Sequence, residues 1–274
     1  MKAKGRIKRY LIFTKAGFQT LIAYRGAVLL WTIGSIISAT LMGLLWWAIF
    51  SFSENGIVGG FTYPQMLMYV ILSTVVGQVA SSSSMGTIVD DVRDGQIGMR
   101  LMKPISYRLQ LCFSSIGESI GRMMIVGLPA IIIGTLIAVF GFGLTGLKWY
   151  NIILFFPACF LALLINEAYD FLFGQLAFRT QAMFGVSWVS GAIKSFLSGG
   201  MIPLSVFPAW AQRILGFTPF PFMVSMSVRI FLGVMSWTEM LTSFAIAIAW
   251  IVALDIIGAL LYKTSVRKVV VFGG

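Results

Sequence analysis

Long runs of apolar residues alternate along the chain with short segments that carry most of its charges. A membrane-spanning helix needs about 20 mostly apolar residues, and six runs approach or exceed that length. They cover residues 27–50, 63–83, 109–140, 150–177, 186–201 and 237–262. The fifth run is short, and the third is overlong with a start at the membrane interface. The pattern predicts an all-α membrane protein with six transmembrane helices.

The composition agrees with this class and excludes a water-soluble globule. Hydrophobic residues make up 58% of the 274 positions and charged residues only 11%, with a mean hydropathy of +0.93. Soluble domains average about 25% charged residues. The two cysteines, Cys112 and Cys159, lie in apolar sequence without a CxxC partner, and histidine is absent. We therefore expect neither a disulfide framework nor a metal site.

Basic residues are distributed unevenly between the two sides of the predicted bundle. The chain carries 20 Lys and Arg against 9 Asp and Glu, a net charge of +11. Most of the cations fall in the N-terminal tail, in segment 84–108 and after the last run, whereas the other side holds only Lys148, Arg213 and Arg229. Since Lys and Arg collect in cytoplasmic loops, both termini are predicted to be cytoplasmic. The same rule explains the charge without nucleic acid as a partner.

Residues 1–25 form a separate N-terminal element. Apolar side chains recur in it at helical spacing, with basic residues among or opposite them. The apolar positions are Ile7, Tyr10, Leu11, Phe18, Leu21 and Ile22. This pattern predicts an amphipathic interfacial helix lying along the inner leaflet, and a solvated basic tail is the alternative. Residues 26–274 then form the six-span transmembrane domain.

The cytoplasmic segment 84–108 contains three of the nine acidic residues. Thr87 with Asp90 three positions later is typical of a capping box that opens a short helix, and Gly95 is typical of its C-terminal end. Ile88 and Val92 would then share one face. The charged side chains left for water or for a partner are Asp90, Asp91, Arg93 and Asp94. The segment is either a solvated loop or a docking helix for a cytoplasmic partner.

The same segment suggests an enzymatic alternative. Asp91, Asp94 and Gly95 have the spacing that begins the signature of the CDP-alcohol phosphotransferases, membrane enzymes whose aspartates hold divalent metals near a phosphate. The signature continues with further aspartates, but none occurs here between Asp94 and Asp170.

The external segment 201–236 is rich in proline and aromatic residues. Its four prolines prevent one continuous span. Residues 209–216 and 222–232 are predicted to form short re-entrant helices that dip into the outer leaflet, where aromatic side chains are favoured. A plain interfacial anchor is the alternative.

Several charged residues fall inside the apolar runs. Each would cost about 2.5–3.5 kcal/mol facing lipid, so they should face protein or a wet cavity. Glu118 and Arg122 are four residues apart and can pair on their own helix. Four others are candidates for the translocation path or for an interhelical bridge, in which Lys194 would meet one of the first two acids. They are Glu167, Asp170, Lys194 and Asp255.

A series of short motifs runs through the chain in a fixed order. They are Tyr24-Arg25, GFTYPQMLMY at 60–69, GQIGMRLMKP at 95–104, SGGMIPLSVFPAW at 198–210 and PFPF at 219–222. Their order and spacing resemble those of the ABC-2-type exporter permeases, a family with small six-span members. The resemblance extends over essentially the whole chain.

The resemblance implies a permease that pairs with a second permease, as a homodimer or heterodimer, and with two cytosolic ATPase subunits that hold ATP and Mg²⁺. Segment 84–108 would couple to the ATPases through Asp90, Asp91, Arg93, Asp94, Gly95, Arg100 and Pro104. Segment 201–236 would form the external gate with Met201, Pro203, Phe207, Pro208, Trp210, Pro219, Phe220 and Pro221. This chain has no GxxxxGK[ST] loop, so we expect no ATPase site and no cofactor in it.

The predicted function is therefore ATP-driven export of a hydrophobic or amphipathic compound (a drug, lipid or peptide) across the inner (plasma) membrane of a bacterium. The chain itself would not be an enzyme. A non-transport membrane scaffold or immunity protein is the main alternative, and a membrane-embedded transferase is a weaker one.

Overall fold

The computed structural model describes residues 2–102, 105–144, 147–180 and 183–265, and helices account for most of them. The α-helices are α1 (Lys2–Ala23), α2 (Arg25–Ser51), α3 (Tyr63–Val79), α4 (Ser84–Arg93), α5 (Ile97–Leu101), α6 (Tyr107–Arg122), α7 (Leu128–Leu136), α8 (Trp149–Gly174), α9 (Met183–Leu197), α10 (Ala209–Gly216), α11 (Ser225–Phe231) and α12 (Trp237–Ser265). Two π-helical turns, Met123–Gly127 and Ile137–Gly141, flank α7. Three 3-10 turns are Gln175–Phe178, Leu204–Val206 and Phe220–Phe222.

Five helical segments within the described residues are long and apolar enough to cross a membrane. They are Arg25–Ser51, Tyr63–Arg93, Tyr107–Gly141, Trp149–Phe178 and Trp237–Ser265. The prediction of an all-α membrane protein is therefore confirmed. The fifth predicted span corresponds to α9, whose 15 residues extend about 22 Å, less than the roughly 30 Å of a hydrocarbon core. A sixth crossing stays a prediction.

The core of the bundle is formed by α3, α8 and α11. Met66 and Leu72 of α3, Phe155 and Ile165 of α8, and Ile230 of α11 are completely buried. By contrast, only 6% of the apolar window of α2 and 17% of that of α12 is buried inside the chain. The outer helices therefore present apolar surface to lipid or to another subunit.

The overlong third span is one helical rod interrupted by π-turns. It runs from Tyr107 to Gly141 and widens at Met123–Gly127, just before Pro129. Proline has no N–H to donate to the preceding turn, and a π-turn absorbs the lost bond without ending the helix. Gly134 lies directly against Ile71 of α3, where an added Cβ would meet the Ile71 side chain at 2.9 Å.

The N-terminal segment is a helix, as predicted, and it packs tightly against α6. The Ser106 N–H donates to the Tyr10 hydroxyl at 3.0 Å, and the Tyr10 and Phe113 rings lie 5.5 Å apart. Not all of the predicted apolar positions face α6, because Leu11 and Ile22 are exposed whereas Gly17 is buried. The face of α1 that contacts α6 is rotated about the helix axis from its most apolar face. That α1 lies along the inner leaflet stays a prediction.

The end of the bundle at which α3 begins carries a hairpin and several short helices. Strands β1 (Ile57–Val58) and β2 (Phe61–Thr62) pair antiparallel through Gly59 and Gly60, both at positive φ, as a two-residue hairpin turn requires. The predicted helix 209–216 is α10. The predicted helix 222–232 is shorter, as α11, and it packs in the core against α8. Its depth in a membrane stays a prediction.

Candidate functional site

The segment predicted to be cytoplasmic begins where α3 ends and α4 follows, across a run of four serines, residues 81–84. The predicted capping box is wrong, since α4 begins at Ser84 with Ser83 as N-cap. Thr87 lies inside the helix, and its hydroxyl donates to the Ser83 carbonyl at 3.0 Å. The predicted C-terminal end is confirmed, because Gly95 follows α4 with φ +69°.

Glu167 of α8 binds four donors at the base of α4. Its carboxylate is completely buried. Ser82 and Ser84 donate hydroxyl hydrogen bonds to it at 2.5 and 2.6 Å, and Ser115 of α6 donates at 2.8 Å. The Arg108 guanidinium of α6 completes the set at 2.7 Å. A buried carboxylate is tolerated only when it is paired and hydrogen-bonded, and here one carboxylate joins α4, α6 and α8.

Arg108 extends this network to the last helix. Its second Nη atom lies 2.6 Å from Asp255 of α12, and its guanidinium lies 4.7 Å from the centre of the Phe171 ring. The Asp255 side chain is 47% exposed. Three helices, α6, α8 and α12, therefore meet at the Arg108 guanidinium. We call Glu167 and this guanidinium, together with the groups bonded to them, the Glu167 network.

A second polar cluster binds the other two serines of the run. Arg122 donates to the Ser81 carbonyl at 2.9 Å and to the Ser81 hydroxyl, and Ser83 donates to Glu118 at 3.0 Å. Glu118 and Arg122 lie 3.4 Å apart, so they pair on their own helix as expected. Every serine of the run at the start of α4 is thus bonded to α6 or α8.

The charges of α4 divide into a buried one and exposed ones. Asp91 is buried, which corrects the prediction that it faces water or a partner. It accepts from the Tyr107 hydroxyl at 2.6 Å and lies 2.9 Å from Arg100. Tyr107 begins α6 and Arg100 belongs to α5, so Asp91 ties the three helices together. The reason is helical geometry, since Asp91 shares the inward face of α4 with Ile88.

Asp90, Arg93 and Asp94 remain exposed at the tip of α4. Arg93 lies 3.0 Å from Asp90 and 3.1 Å from Asp94, with side chains that are 47–69% exposed. Surface pairs of this kind contribute little to folding, so these charges are available to a partner. Pro104, also predicted for this site, lies outside the described residues.

The two remaining charges of the predicted spans pair with each other rather than with the Glu167 network. The Lys194 ammonium of α9 lies 2.6 Å from the Asp170 carboxylate of α8, and 5.4 Å from the centre of the Tyr169 ring. Asp170 is buried, and the Lys194 side chain is 21% exposed. The structure therefore places the four predicted charges in two separate groups.

The predicted external gate residues differ in burial, and their role as a gate stays a prediction. Pro203 and Pro219 are buried, whereas Met201 and Trp210 are exposed. The remaining four are two phenylalanines, each packed against another aromatic ring, and two prolines, one exposed and one partly buried. Phe207 packs against Phe196, and Phe220 packs against Tyr169. Pro208, which follows Phe207 in the sequence, is exposed, and Pro221, which follows Phe220, is partly buried.

Sequence reasoning missed the residues that hold the network together. Arg108, Tyr107 and Ser115 were not singled out as site residues, although Arg108 stands at the border of an apolar run. The available signal was the surplus of buried acids, because intramembrane carboxylates require cations or hydroxyl donors nearby. Within the described ranges, no group of three or more Cys, Asp or Glu side chains could hold a metal ion.

A family model supplies the observation that decides the class of this protein. The model of the ABC-2 family transporter proteins matches residues 35–273. The chain belongs to the ABC-2 transporter family. It is a multi-pass membrane protein of the permease type, and membrane subunits of this family are generally non-catalytic and normally work with ATPase subunits. A search of curated proteins finds no match to the sequence.

Proposed function

We propose that this ABC-2 family chain is the permease subunit of an exporter for a hydrophobic or amphipathic compound, powered by separate ATPase subunits. One observation carries the proposal: α4 has a buried base bonded to the Glu167 network and an exposed, charged tip. A helix built in this way can bind a partner at one end and act on the bundle at the other. The family's usual partnership with ATPases supports an ATPase subunit as that partner.

The buried base gives a physical route from the tip of α4 to the spans. Ser82 and Ser84 hold α4 to Glu167 of α8, and Arg108 joins that carboxylate to Asp255 of α12. Because buried polar groups are costly to leave unpaired, a displacement of α4 has to move α8 with it or break the network. Closure of the ATPases would thereby be transmitted to the spans and to segment 201–236 at their other end.

The complete transporter would contain a second permease subunit and two ATPases, with both termini of the chain on the ATPase side of the membrane. The exposed apolar faces of α2 and α12 leave room for lipid or for a second permease. ATP and Mg²⁺ would be bound by the ATPase subunits, and this chain would supply the path for the compound.

The test separates the exposed acids of α4 from the buried one. Tagged protein is purified in mild detergent, and the ATPase subunits that copurify are identified by mass spectrometry and assayed for ATP hydrolysis. The double variant Asp90→Lys/Asp94→Lys should lose most of the bound ATPase without a change in thermal stability, since unfavourable charges at an interface cost several kcal/mol. Glu54→Lys, a charge reversal at the opposite end of the bundle, is the matched control.

The outcomes discriminate clearly between the alternatives. An ATPase that copurifies equally with wild type and with Asp90→Lys/Asp94→Lys would place the coupling contact elsewhere in the chain. Asp91→Asn should instead lower the thermal midpoint, because it weakens the bonds to Tyr107 and Arg100. Absence of any ATPase under conditions that preserve the permease assembly would overturn the exporter and favour a membrane scaffold.

A further inference from the structure

A cavity of about 380 Å³ lies at the end of the bundle opposite α4. Its walls come from the hairpin, the first half of α3, the 3-10 turn Leu204–Val206, α10, α11 and α12. This volume falls in the range of about 300–1,000 Å³ typical of small-molecule sites. We call it the outer cavity.

The wall of the outer cavity combines one charge with apolar surface. Arg229 of α11 is the one charged side chain among the residues that line it. Phe61, Phe222 and Met226 supply apolar surface, and Ser225 supplies a hydroxyl group. The side-chain nitrogen of Gln212, another lining residue, already donates to the Phe207 carbonyl at 2.7 Å. The Arg229 guanidinium is therefore the fully charged hydrogen-bond donor of this wall, with N–H groups left to bind a ligand.

Arg229 differs from three other partly buried cations of the bundle. Arg108, Arg122 and Lys194 each lie within 4 Å of a carboxylate, whereas within the part of the chain that the structure describes Arg229 has no such ion pair. Glu239 is near enough to interact with it electrostatically. However, the Glu239 carboxylate accepts from the Ser236 N–H at 2.8 Å and does not line the cavity.

A partly buried guanidinium beside a cavity favours an anion, because it presents a fork of N–H donors that matches carboxylate and phosphate oxygens. The apolar walls favour a hydrocarbon or aromatic group attached to that anion. We propose that the outer cavity binds the anionic headgroup of an amphipathic molecule, with Arg229 on the carboxylate or phosphate. This inference rests on the proposed function for its role, which is to hold an anionic cargo near the exit.

The binding test uses the purified permease alone, in neutral detergent and without ATPase. The probe is the fluorescent fatty acid 11-(dansylamino)undecanoic acid, and its methyl ester is the neutral control. Arg229→Gln should weaken binding of the acid by about tenfold or more, as loss of a charge-assisted hydrogen bond does. Arg229→Lys should retain part of the affinity, and Arg213→Gln, an exposed arginine of α10 outside the cavity, should have no effect.

Two results would overturn the proposal. Equal affinity for the acid and its methyl ester would mean that the charge is not recognised. Equal losses in Arg229→Gln and Arg213→Gln would mean general attraction to a basic surface. Circular dichroism and gel filtration of each variant establish that it is folded, and partial binding by Arg229→Lys would exclude a structural explanation.

Two further measurements identify the source of the anion. Lipid mass spectrometry compares the anionic phospholipid that copurifies with wild type and with Arg229→Gln, and selective loss in the variant would identify a membrane lipid. In the complete transporter, stimulation of ATP hydrolysis by the acid in wild type but not in Arg229→Gln would identify cargo. Because the first test needs no ATPase, failure of the exporter assignment leaves the binding result standing.

Discussion

Glu167 and Asp170 lie nearly one turn apart on α8, and yet they bind different cations from different helices. Glu167 accepts from Arg108 and from three serines, whereas Asp170 pairs with Lys194. Two neighbouring carboxylates repel each other in a medium of low dielectric constant. Each is therefore neutralised by its own cation, and the two sites can be tested separately.

Replacement of Glu167 by Gln should destabilise the chain by about 3–5 kcal/mol, as does removal of one partner from a buried ion pair. Gln preserves the volume, but its NH₂ group faces hydroxyl and guanidinium donors. Thermal unfolding in detergent, followed by circular dichroism, measures the loss. Asp255→Asn is the control, and it should cost less than about 1 kcal/mol because Asp255 is half exposed. Equal losses would show that Glu167 is not the centre of the network.

Lys194→Met should leave Asp170 buried without a cation and lower both stability and assembly. The double variant Lys194→Met/Asp170→Asn should recover most of the loss, because it removes the unpaired charge as well. Thermal midpoints and gel filtration of the two variants measure this recovery. Assembly and transport unchanged in Lys194→Met would refute a role for the bridge.

At the scale of elements, glycines decide how closely α1 approaches α6. A Cβ added at Gly117 would lie 2.0 Å from the Thr14 carbonyl oxygen, and one added at Gly17 would lie 2.3 Å from the Ser114 carbonyl oxygen. Both contacts involve backbone, which cannot move aside as a flexible side chain does. Helical periodicity identified α1 as a helix, but it could not identify the face that these glycines select.

Gly117→Ala should separate α1 from α6, although Ala is a better helix former than Gly by about 1 kcal/mol. We expect faster tryptic cleavage after the exposed Lys15, measured by mass spectrometry over time. Gly185→Ala in α9 introduces the same methyl group where no atom of another element lies within 4 Å, so its digestion should match wild type. Unchanged cleavage in Gly117→Ala would mean that α1 and α6 can move apart slightly to accept the methyl group at no cost in free energy.

At the scale of the whole molecule, the number of membrane crossings depends on α9. If this 15-residue helix crosses, Arg179 before it and Ser205 after it lie on opposite sides of the membrane. A short helix can cross when the bilayer thins locally or when its ends are buried in protein. The positive-inside rule then assigns Arg179 to the cytoplasm.

Cysteine labelling with a membrane-impermeant maleimide tests this topology in intact cells. In a background with Cys112→Ala and Cys159→Ala, the variant Ser205→Cys should be labelled from outside, and Arg179→Cys only after the cells are permeabilised. Both substituted residues are exposed in the structure. Labelling of both from one side would show that α9 does not cross, and the reverse pattern would invert the orientation.

The sequence by itself determined the class of the protein and most of its helices. Apolar runs of about 20 residues have few alternatives to membrane helices. Gly95 marked the end of α4 correctly, and the bounds predicted for helix 209–216 are those of α10. These signals are local, so they can be read from neighbouring residues. The order of the motifs likewise indicated the ABC-2 family, which the family model confirmed.

Apart from Glu118 and Arg122, whose pairing helical spacing predicted, tertiary structure decided which charges meet. Asp90 and Asp91 are adjacent in the sequence, but only Asp91 turns inward to Tyr107 and Arg100. Glu167 and Arg108 are separated by 59 positions, and no local pattern specifies their contact. Pairing of this kind depends on how α4, α6 and α8 pack, because the low dielectric constant of the interior makes each buried charge bind whichever partner the packing brings within reach.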